Sequence, residues 1–417
     1  MSAILVTGLG TVGAYGCGGD SLRRILAAPD PPSLLSAVDR AAGYHRPGGA
    51  RRALLTGGVS VAEWLAPGEA RRMSPPSKLA VTAARMALVC AGFAGRRCDR
   101  EETSVAISTA FGPSSYSEAL LRQILFEGPE ATSPFLFTES VANAPAAQIA
   151  ILCRARGPSV TICQREAGAL LAVGQGAADV ASGRAPRSLA GAVDEMTPLL
   201  HSLLDRFGAL ARPAGEDGES EVARPFDRRR AGFVAAEGAT VLLLESAASA
   251  AERGARCLAR VLAWGSAFDP TAPQAGWGTG HERLARSVRR GLERVGLDLG
   301  DIDRIVSGAS GSRDGDRLEA LLLRGVWKGR PLPPVLAPKG VVGEYGGGFL
   351  GAAVLAAAGS RFGCGVSGTG GLGGPFEPDP ELGIVPQEGA PLPRPSTVLV
   401  TSLAAGGAAS WLVLGAP

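Results

Sequence analysis

Histidine and paired cysteines are scarce in this 417-residue chain, and their scarcity excludes several kinds of site. The only histidines stand at positions 45, 201 and 281. The seven cysteines form no CxxC pair and have no histidine at the spacing of zinc ligands, so we expect no metal site. Because their number is odd and the chain is long, we expect reduced thiols and not a disulfide framework.

A marked excess of one charge is also missing. The chain has 42 Lys and Arg against 39 Asp and Glu, a formal net charge of +3, and the two signs are interleaved. This balance argues against a nucleic-acid partner. Hydrophobic residues make up 46% and charged residues 19%, which is typical of a globular protein. The 59 glycines, with many Ala and Arg, suggest a high-GC bacterial genome.

Two segments bear on location. The first residues lack a basic stretch ahead of an apolar one, so we expect no signal peptide and a cytoplasmic protein. Residues 396–417 carry no charge and are long enough to cross a bilayer. Gly406 and Gly407 divide this run into two segments whose residues favour strands. We therefore predict two buried strands joined by a glycine turn, with no membrane partner.

Short apolar strands alternate with helical stretches along the chain, which indicates an α/β fold with mostly buried strands. Each half offers five candidate strands, and this repetition predicts an internal duplication into residues 1–246 and 247–417. Polar residues 213–221 and the Gly- and Pro-rich residues 366–395 are predicted to be irregular loops. The candidate strands are 3–7, 104–108, 159–163, 188–191 and 239–244, then 257–266, 304–308, 335–337, 397–402 and 410–414.

Gly8, Gly10 and Gly13 match the GxGxxG pattern of dinucleotide-binding proteins and follow a predicted strand. The context expected after the pattern is weak. Residues 14–19 contain further helix breakers, and no acidic residue ends a clear second strand about 20 positions later. We therefore predict a glycine-rich turn from strand to loop, with no nucleotide and no other cofactor.

Glu166 stands where a buried strand turns into a helix. Residues 159–163 read as the strand, and the small and aliphatic residues 167–182 read as the helix. A side chain at such an elbow faces the unpaired N–H groups of the helix, where a thiolate or a developing oxyanion is stabilised. A carboxylate is a poor acyl acceptor. The sequence therefore predicts a turn suited to stabilising a negative charge, at which Glu166 stands in place of a nucleophile.

With these features, the chain resembles the β-ketoacyl synthases over almost its whole length. The resemblance is strongest in residues 225–238, Pro-Phe-Asp-Arg-Arg-Arg-Ala-Gly-Phe-Val-Ala-Ala-Glu-Gly. Residues 6–12, 143–148 and 157–159 add to it, as do Gly315-Asp316 and Glu319-Ala320. It implies the thiolase fold, an α/β architecture duplicated into α-β-α-β-α layers with two mixed five-stranded sheets.

Members of this family use one cysteine and two histidines. By register, the cysteine position is Glu166, the first histidine falls on Gly308 and the second on Glu344; only Lys339 is retained. Condensation needs a thiolate to hold the acyl chain and histidine donors to stabilise the enolate. The resemblance therefore implies that this chain has no catalytic residues of its own. The family's gating loop, with a phenylalanine, reads here as residues 403–407 without one.

A ketosynthase-like chain without these groups resembles the chain-length factor of type II polyketide synthases. The resemblance implies a heterodimer with an active ketosynthase, working on a growing chain attached to an acyl carrier protein and making an aromatic or polyene product. Chain-length factors commonly have Gln at the cysteine position, so Glu166 departs from their pattern. The alternative is an enzyme of altered chemistry, such as malonyl decarboxylation or acyl transfer, that uses Glu166 and Glu344. A stand-alone scaffold or acyl-binding protein is a third possibility.

The resemblance also implies where a partner and an acyl chain would contact this subunit. The interface would include Asn143, Gln148, Val160, Thr161 and Ile162, with the strand before the elbow continuing its sheet into the partner. Residues 113–127 read as a helix that opens after Gly112. On one face of that helix, Ser114, Ser117 and Leu121 would line the tunnel. Ordinary packing of this face remains an alternative.

Glu166 itself has two interpretations. A buried carboxylate must be neutral, hydrogen-bonded or paired. We expect a structural role for it, either capping helix N–H groups or pairing with Lys339, ahead of a gating role for the partner's site. Asp227 and Glu237, in the strongest motif, are expected to stabilise the fold and not to catalyse.

Overall fold

The computed structural model describes residues 3–28, 32–57, 59–93, 95–98, 102–212, 221–360, 376–387 and 397–417. Its strands are β1 Ile4–Gly13, β2 Gly16–Cys17, β3 Ser36–Ala37, β4 Arg52–Ala53, β5 Ser104–Ser108, β6 Ser159–Ile162, β7 Arg187–Asp194, β8 Gly238–Ser246, β9 Ala259–Phe268, β10 Arg304–Ser307, β11 Val335–Leu336, β12 Thr397–Leu403 and β13 Ala408–Gly415. Its helices are α1 Gly19–Ala27, α2 Pro67–Ala70, α3 Pro75–Cys90, α4 Ser114–Phe126, α5 Pro134–Ser140, α6 Ala144–Cys153, α7 Gly168–Ala181, α8 Pro198–Arg206, α9 Ala247–Glu252, α10 His281–Arg294, α11 Arg313–Trp327, α12 Lys339–Val342 and α13 Gly348–Ala357.

The main sheet consists of two five-stranded sets with the same internal order. The first set runs β6-β5-β7-β8-β1 and the second runs β11-β10-β12-β13-β9. Numbered within its own half, each set has the order 3-2-4-5-1. In both sets the first three strands are parallel and the remaining pairings are antiparallel. The repeated topology is that of a duplicated fold with two mixed five-stranded sheets.

The two sets meet at a short antiparallel pairing between β1 and β9. Ile4 lies opposite Val261, Leu5 opposite Arg260, and Val6 opposite Ala259. The first set ends with β8 at Ser246, and α9 begins at the next residue. The boundary between 246 and 247 remains a prediction about domain organisation.

Helices form three layers around these strands. In the central layer, α7 contacts β5 and β7 of the first set and β9 and β13 of the second, while α13 contacts β1, β8, β10 and β12. All ten residues of α13 are buried and apolar, and α7 is apolar except for Gln175 and Asp179, which is typical of helices buried between two sheets. On the outer faces, α3 covers β1 and β8, and α10 packs on β9 and on α11. The layers therefore follow the predicted α-β-α-β-α order.

All ten predicted strands are present. The charge-free C-terminal run is an antiparallel hairpin, β12 and β13, turning at Gly406 and Gly407, which have φ of 94° and 95°. Within the described part of the chain, no single helix has the length and apolarity to cross a membrane. Only α5 and α6 taken together reach that length, and they are bent by 96°. The predicted loops 213–221 and 366–395 lie mostly outside the described residues.

The glycine pattern near the N-terminus does not form the predicted turn. β1 continues through Gly8 and Gly10 as far as Gly13, so the expectation of a loop there is wrong. The glycines are required because α3 crosses the strand closely. A Cβ at Gly10 would lie 1.8 Å from the carbonyl oxygen of Ala83, and one at Gly8 would lie 2.1 Å from that of Ala87.

The strongest motif, residues 225–238, stabilises the fold as predicted. The buried Asp227 carboxylate accepts hydrogen bonds from the backbone N–H groups of Arg229 and Glu377. Glu237 accepts from the backbone and hydroxyl of Thr56 and from the backbone of Met196. Each carboxylate therefore holds together segments that are distant in the sequence.

Replacing Gly10 with Ala tests the close approach of α3 to β1. The added methyl group would overlap a backbone carbonyl that cannot move independently, so we expect a loss of about 1–3 kcal/mol in the free energy of unfolding. Gly300→Ala is the matched control, because a Cβ added at that position would have no other atom within 4 Å. Urea titration followed by circular dichroism measures both. Equal stability of the two variants would contradict the proposed reason for the glycine.

Candidate functional site

The elbow predicted from the sequence is present between the two halves of the molecule. β6 ends at Ile162, a single 3-10 turn spans Arg165–Ala167, and α7 begins at Gly168. Arg165 has φ of 42°, a left-handed conformation that is uncommon without glycine and is often found at functional turns. The carbonyl of Glu166 accepts from Ser402 Oγ at 2.6 Å. The second half of the chain therefore holds the elbow in place.

The Glu166 carboxylate points into protein. Its Oε2 atom is buried and has no hydrogen-bond partner among the described residues. Burial raises the pKa of Glu166, while nearby backbone N–H groups and the charges of Lys339 and Arg165 oppose that shift. Arg165 also donates to the carbonyl of Ala405, in the loop that matches the family's gating loop. The predicted gating loop and the elbow are therefore in contact.

Lys339 is fully buried, and its direct partner is Glu344. The Lys339 ammonium donates to both carboxylate oxygens of Glu344 at 2.8 Å and lies 4.8 Å from the centre of the Phe349 ring. Among the described residues, Lys339 forms its hydrogen bonds with Glu344 and not with Glu166, whose carboxylate the lysine affects only through its charge. Burial raises the pKa of Glu344 to about 7, and the negative charge of Glu166 adds to the increase, while Lys339 opposes it.

Gly308 lies where the backbone of β12 leaves no space for a side chain. A Cβ at this position would meet the carbonyl oxygen of Thr401 at 2.7 Å and Ser402 at 3.0 Å. Its own N–H donates to the carboxylate of Glu319 at 3.2 Å. A side chain at position 308, where the sequence register predicts the family's first histidine, would therefore overlap the backbone of β12.

Two further buried carboxylates lie beside Lys339, Glu344 and Gly308. Neither was predicted from the sequence as a site residue. Glu319 accepts from Ser307 Oγ and Thr401 Oγ1, both at 2.6 Å. Asp316 accepts from the backbone N–H groups of Phe226, Ser310 and Gly311, and burial raises its pKa to about 7. Both residues belong to the segment with Gly315-Asp316 and Glu319-Ala320 that supports the family resemblance, so this segment could have indicated them. Within the described residues, no three His, Cys, Asp or Glu side chains are grouped as metal ligands would be.

The predicted interface residues lie on or beside an open sheet edge. β6 is the last strand of its set and pairs only with β5. Val160 is exposed, whereas Thr161 and Ile162 are half-buried. Asn143 is exposed at the start of α6, and Gln148 on the same helix donates to Glu139 inside the chain at 2.7 Å. Their role in an interface remains a prediction.

Neighbouring helices expose large apolar side chains near this edge. α4 contacts α5, α5 contacts α6, and α6 contacts β6. We call the exposed side chains on these three helices the apolar surface. Its most exposed members are Leu121, Leu125 and Phe126 on α4, Phe137 on α5 and Ile151 on α6, each between 57% and 79% exposed. Side chains of this kind, exposed together, mark a contact surface.

The three predicted tunnel residues lie on α4, which has the predicted bounds to within one residue. Ser114 and Ser117 are half-buried, and both hydroxyls bond within the chain. Ser114 Oγ donates to Glu195, and Ser117 Oγ donates to the carbonyls of Pro113 and Ser140 at 3.0 Å. Leu121 is 57% exposed. Whether these positions contact an acyl chain remains a prediction.

Comparison with known proteins identifies the family. The model of the β-ketoacyl synthase N-terminal domain matches residues 60–250. The granaticin polyketide putative β-ketoacyl synthase 1 of Streptomyces violaceoruber is 30% identical over 374 residues, covering 86% of each chain. The chain belongs to the β-ketoacyl synthase family. The ketoacyl synthase alpha subunit of the tetracenomycin polyketide synthase of Streptomyces glaucescens is 28% identical, with coverage of 99% of this chain and 97% of that protein.

Solved structures of β-ketoacyl synthases share the whole fold. The ishigamide ketosynthase/chain length factor superposes with a TM-score of 0.85 at 28% identity, covering 100% of this chain and 99% of the other. A β-ketoacyl synthase from Burkholderia phymatum STM815 gives 0.87 at 22% identity, with complete coverage of both chains. The thiolase-like fold expected from the sequence is confirmed, and so is the similarity to ketosynthases of type II polyketide synthesis.

Lys339→Met tests whether the buried ion pair stabilises the site. Removing one partner leaves the Glu344 charge buried, so we expect a loss of about 3–5 kcal/mol at pH 8. Glu344 can escape this penalty by taking up a proton as the pH falls, because burial raises its pKa to about 7 even beside Lys339, and the variant removes the charge that opposes this rise. The loss should therefore be smaller at pH 5.5. Denaturant titrations at both pH values measure it.

The exposed Lys328→Met is the control for the change of side chain and should have little effect. In the double variant Lys339→Met/Glu344→Gln, the pH dependence of the loss should become smaller, because Glu344 no longer takes up a proton while Glu166 and Glu319 still can. If Lys339→Met lost the same free energy of unfolding at both pH values, the loss would not come from a buried negative charge on Glu344.

Proposed function

We propose that this β-ketoacyl synthase family member is a chain-length-factor-like subunit that performs no condensation itself. The observation that carries the proposal is the state of the site. Glu166 occupies the nucleophile position, Lys339 and Glu344 neutralise each other, and Gly308 has no space for a side chain. Acyl transfer needs a nucleophile activated by a base, and decarboxylative condensation needs donors for the enolate. Neither set of groups is offered by these positions.

The surface supports a partner subunit. An open strand edge is a template for pairing with another chain, and β6 presents such an edge beside the apolar surface. We propose that an active ketosynthase of the same fold covers both, through an obligate-type interface above the ~2,000 Å² at which permanent contacts begin. The similarity to a ketosynthase/chain length factor structure supports this kind of partner. The growing chain would arrive on an acyl carrier protein.

One observation favours the alternative of altered chemistry. Glu166 Oε2 is buried without a partner, and its pKa and that of Glu344 are raised. A pair of carboxyls with raised pKa values can carry out acid–base catalysis, such as the decarboxylation of a malonyl unit. Release of CO2 from malonyl carrier protein by the purified chain alone would select this function. Its loss in Glu166→Gln would assign the activity to the elbow.

The isolated chain should neither acylate itself nor condense malonyl units. We expect intact-protein mass spectrometry to show no acyl adduct after incubation with acyl carrier protein. We also expect no condensation product from the variant Glu166→Cys/Gly308→His/Glu344→His, because a side chain at 308 would overlap the backbone of β12. A stable acyl adduct on the natural chain would contradict the proposal.

Thr161→Pro tests the open edge of β6. The carbonyls of Pro158 and Ile162 accept from β5, so in this parallel ladder the N–H of Thr161 faces away from β5. Proline removes that N–H and should block pairing with a partner strand, while leaving the pairing with β5 intact. We expect the variant to fold but not to form a stable pair with the cognate ketosynthase in size-exclusion chromatography. Thr161→Val keeps the N–H and should assemble.

Ser117→Phe tests α4 as the element that limits product length. A ring at this half-buried position adds bulk on the predicted tunnel face, and overpacking there costs about 1–3 kcal/mol. We expect the reconstituted pair to make shorter products at an unchanged yield of heterodimer, measured by product mass. Ser117→Ala, which loses the hydroxyl without adding bulk, should keep the natural length. Unchanged length with Phe in an intact heterodimer would exclude this helix face.

A further inference from the structure

Two adjacent acidic residues, Asp194 and Glu195, stand at the end of β7 and are almost completely buried, with 5% and 4% exposure. Neither belongs to the degenerate catalytic positions. Asp194 Oδ1 accepts from the backbone N–H of Ala110 at 2.6 Å and from Thr109 Oγ1 at 3.1 Å. Its Oδ2 accepts from the N–H of Gly346 at 2.9 Å. One carboxylate therefore connects the segment after β5 to the segment that follows Glu344.

Glu195 binds the start of α4. Its Oε1 accepts from the backbone N–H of Ser115 at 2.7 Å and from Ser114 Oγ at 3.1 Å, and its Oε2 accepts from Ser115 Oγ at 2.8 Å. The residue before the helix is Pro113, whose side chain makes no capping hydrogen bond. A helix leaves its first N–H groups unsatisfied, and a negative charge at that end is favourable. Glu195 thus supplies from a distance the cap that α4 lacks locally.

The two acids are consecutive on a rigid strand end, so their ligands cannot move independently. The N-terminus of α4 is fixed by Glu195, and the loop after Glu344 is fixed by Asp194. Lys339 holds that same loop through Glu344. The position of α4 therefore depends on contacts with the Glu344 loop, made through Asp194 and Glu195, and not on residues next to the helix in the sequence.

We propose that Glu195 is a positioning residue that sets product length by fixing the start of α4, with Asp194 relating that point to the Glu344 loop. The inference rests on the proposed function of this chain as the subunit that limits chain growth. Ser114, Ser117 and Leu121 share one face of α4, and Ser114, the first of them, donates a hydrogen bond to Glu195. Without these hydrogen bonds, the first turn of α4 can move, and the range of product lengths becomes wider.

The test uses this chain reconstituted with its cognate ketosynthase and acyl carrier protein, with products measured by mass spectrometry. Glu195→Ala removes the carboxylate that accepts from the Ser115 N–H and from the hydroxyls of Ser114 and Ser115, so we expect a mixture of lengths in place of one dominant product. Glu195→Gln should restore the natural length, because its amide oxygen can accept from Ser115 N–H and its NH2 group can donate to the serine hydroxyls. Glu293→Gln, an exposed position on α10, is the control.

A role in stability alone would change the yield of heterodimer without changing the product, so the length distribution is the decisive readout. Ser115→Ala keeps the buried carboxylate bonded to Ser114 and to the backbone, so it is a second variant in case Glu195→Ala does not assemble. It should move the distribution in the same direction by a smaller amount. An intact heterodimer of Glu195→Ala with the natural product length would overturn the inference. So would an unchanged length in Ser115→Ala when Glu195→Ala does not assemble.

Ser117→Phe in the same assay separates this inference from the proposed function. If Ser117→Phe shortens the product and Glu195→Ala leaves it unchanged, α4 limits growth and only the positioning role of Glu195 is wrong. If both variants make the natural product, the role of α4 as a limit on length is wrong as well.

Discussion

A single buried ammonium organises the centre of this protein. Lys339 has no exposure to water, so its charge must be balanced within the fold. Glu344 forms hydrogen bonds to it directly, and the carboxylates of Glu166 and Glu319 interact electrostatically with the same ammonium. The elbow from the first half and the loops from the second half are therefore brought to one point by electrostatics. Any reaction at this point would first have to break the ion pair that stabilises it.

This arrangement fits the proposed function of a subunit that performs no condensation itself. An active site keeps its nucleophile and donors unsatisfied until substrate arrives, at a cost in stability. Here most of the polar groups form hydrogen bonds with one another, and Gly308 has no space for a side chain. Glu166 Oε2 is the exception. The proposed function would therefore leave few polar groups at this site without a partner inside the fold.

Much of the fold could be predicted from the sequence because its signals are local. Ten strands were found from apolar, β-branched runs, and the two halves repeat the same alternation. The glycines of β1 were misread, because the approach of α3 to Gly8 and Gly10 depends on residues more than 70 positions away. The sequence also could not decide the direct partner of Lys339, since only three-dimensional packing places Glu344 nearer to it than Glu166. The cap of α4 by Glu195 has no pattern in the sequence at all.

We propose that the partner carries out the chemistry and that this chain shapes the tunnel. The most direct test is to replace the active-site cysteine of the cognate ketosynthase with alanine and reconstitute it with this natural chain, malonyl units and acyl carrier protein. The account predicts that the pair assembles normally and makes no polyketide of any length. Polyketide formation by that pair would contradict it, because the acyl chain would then have to be held by this subunit.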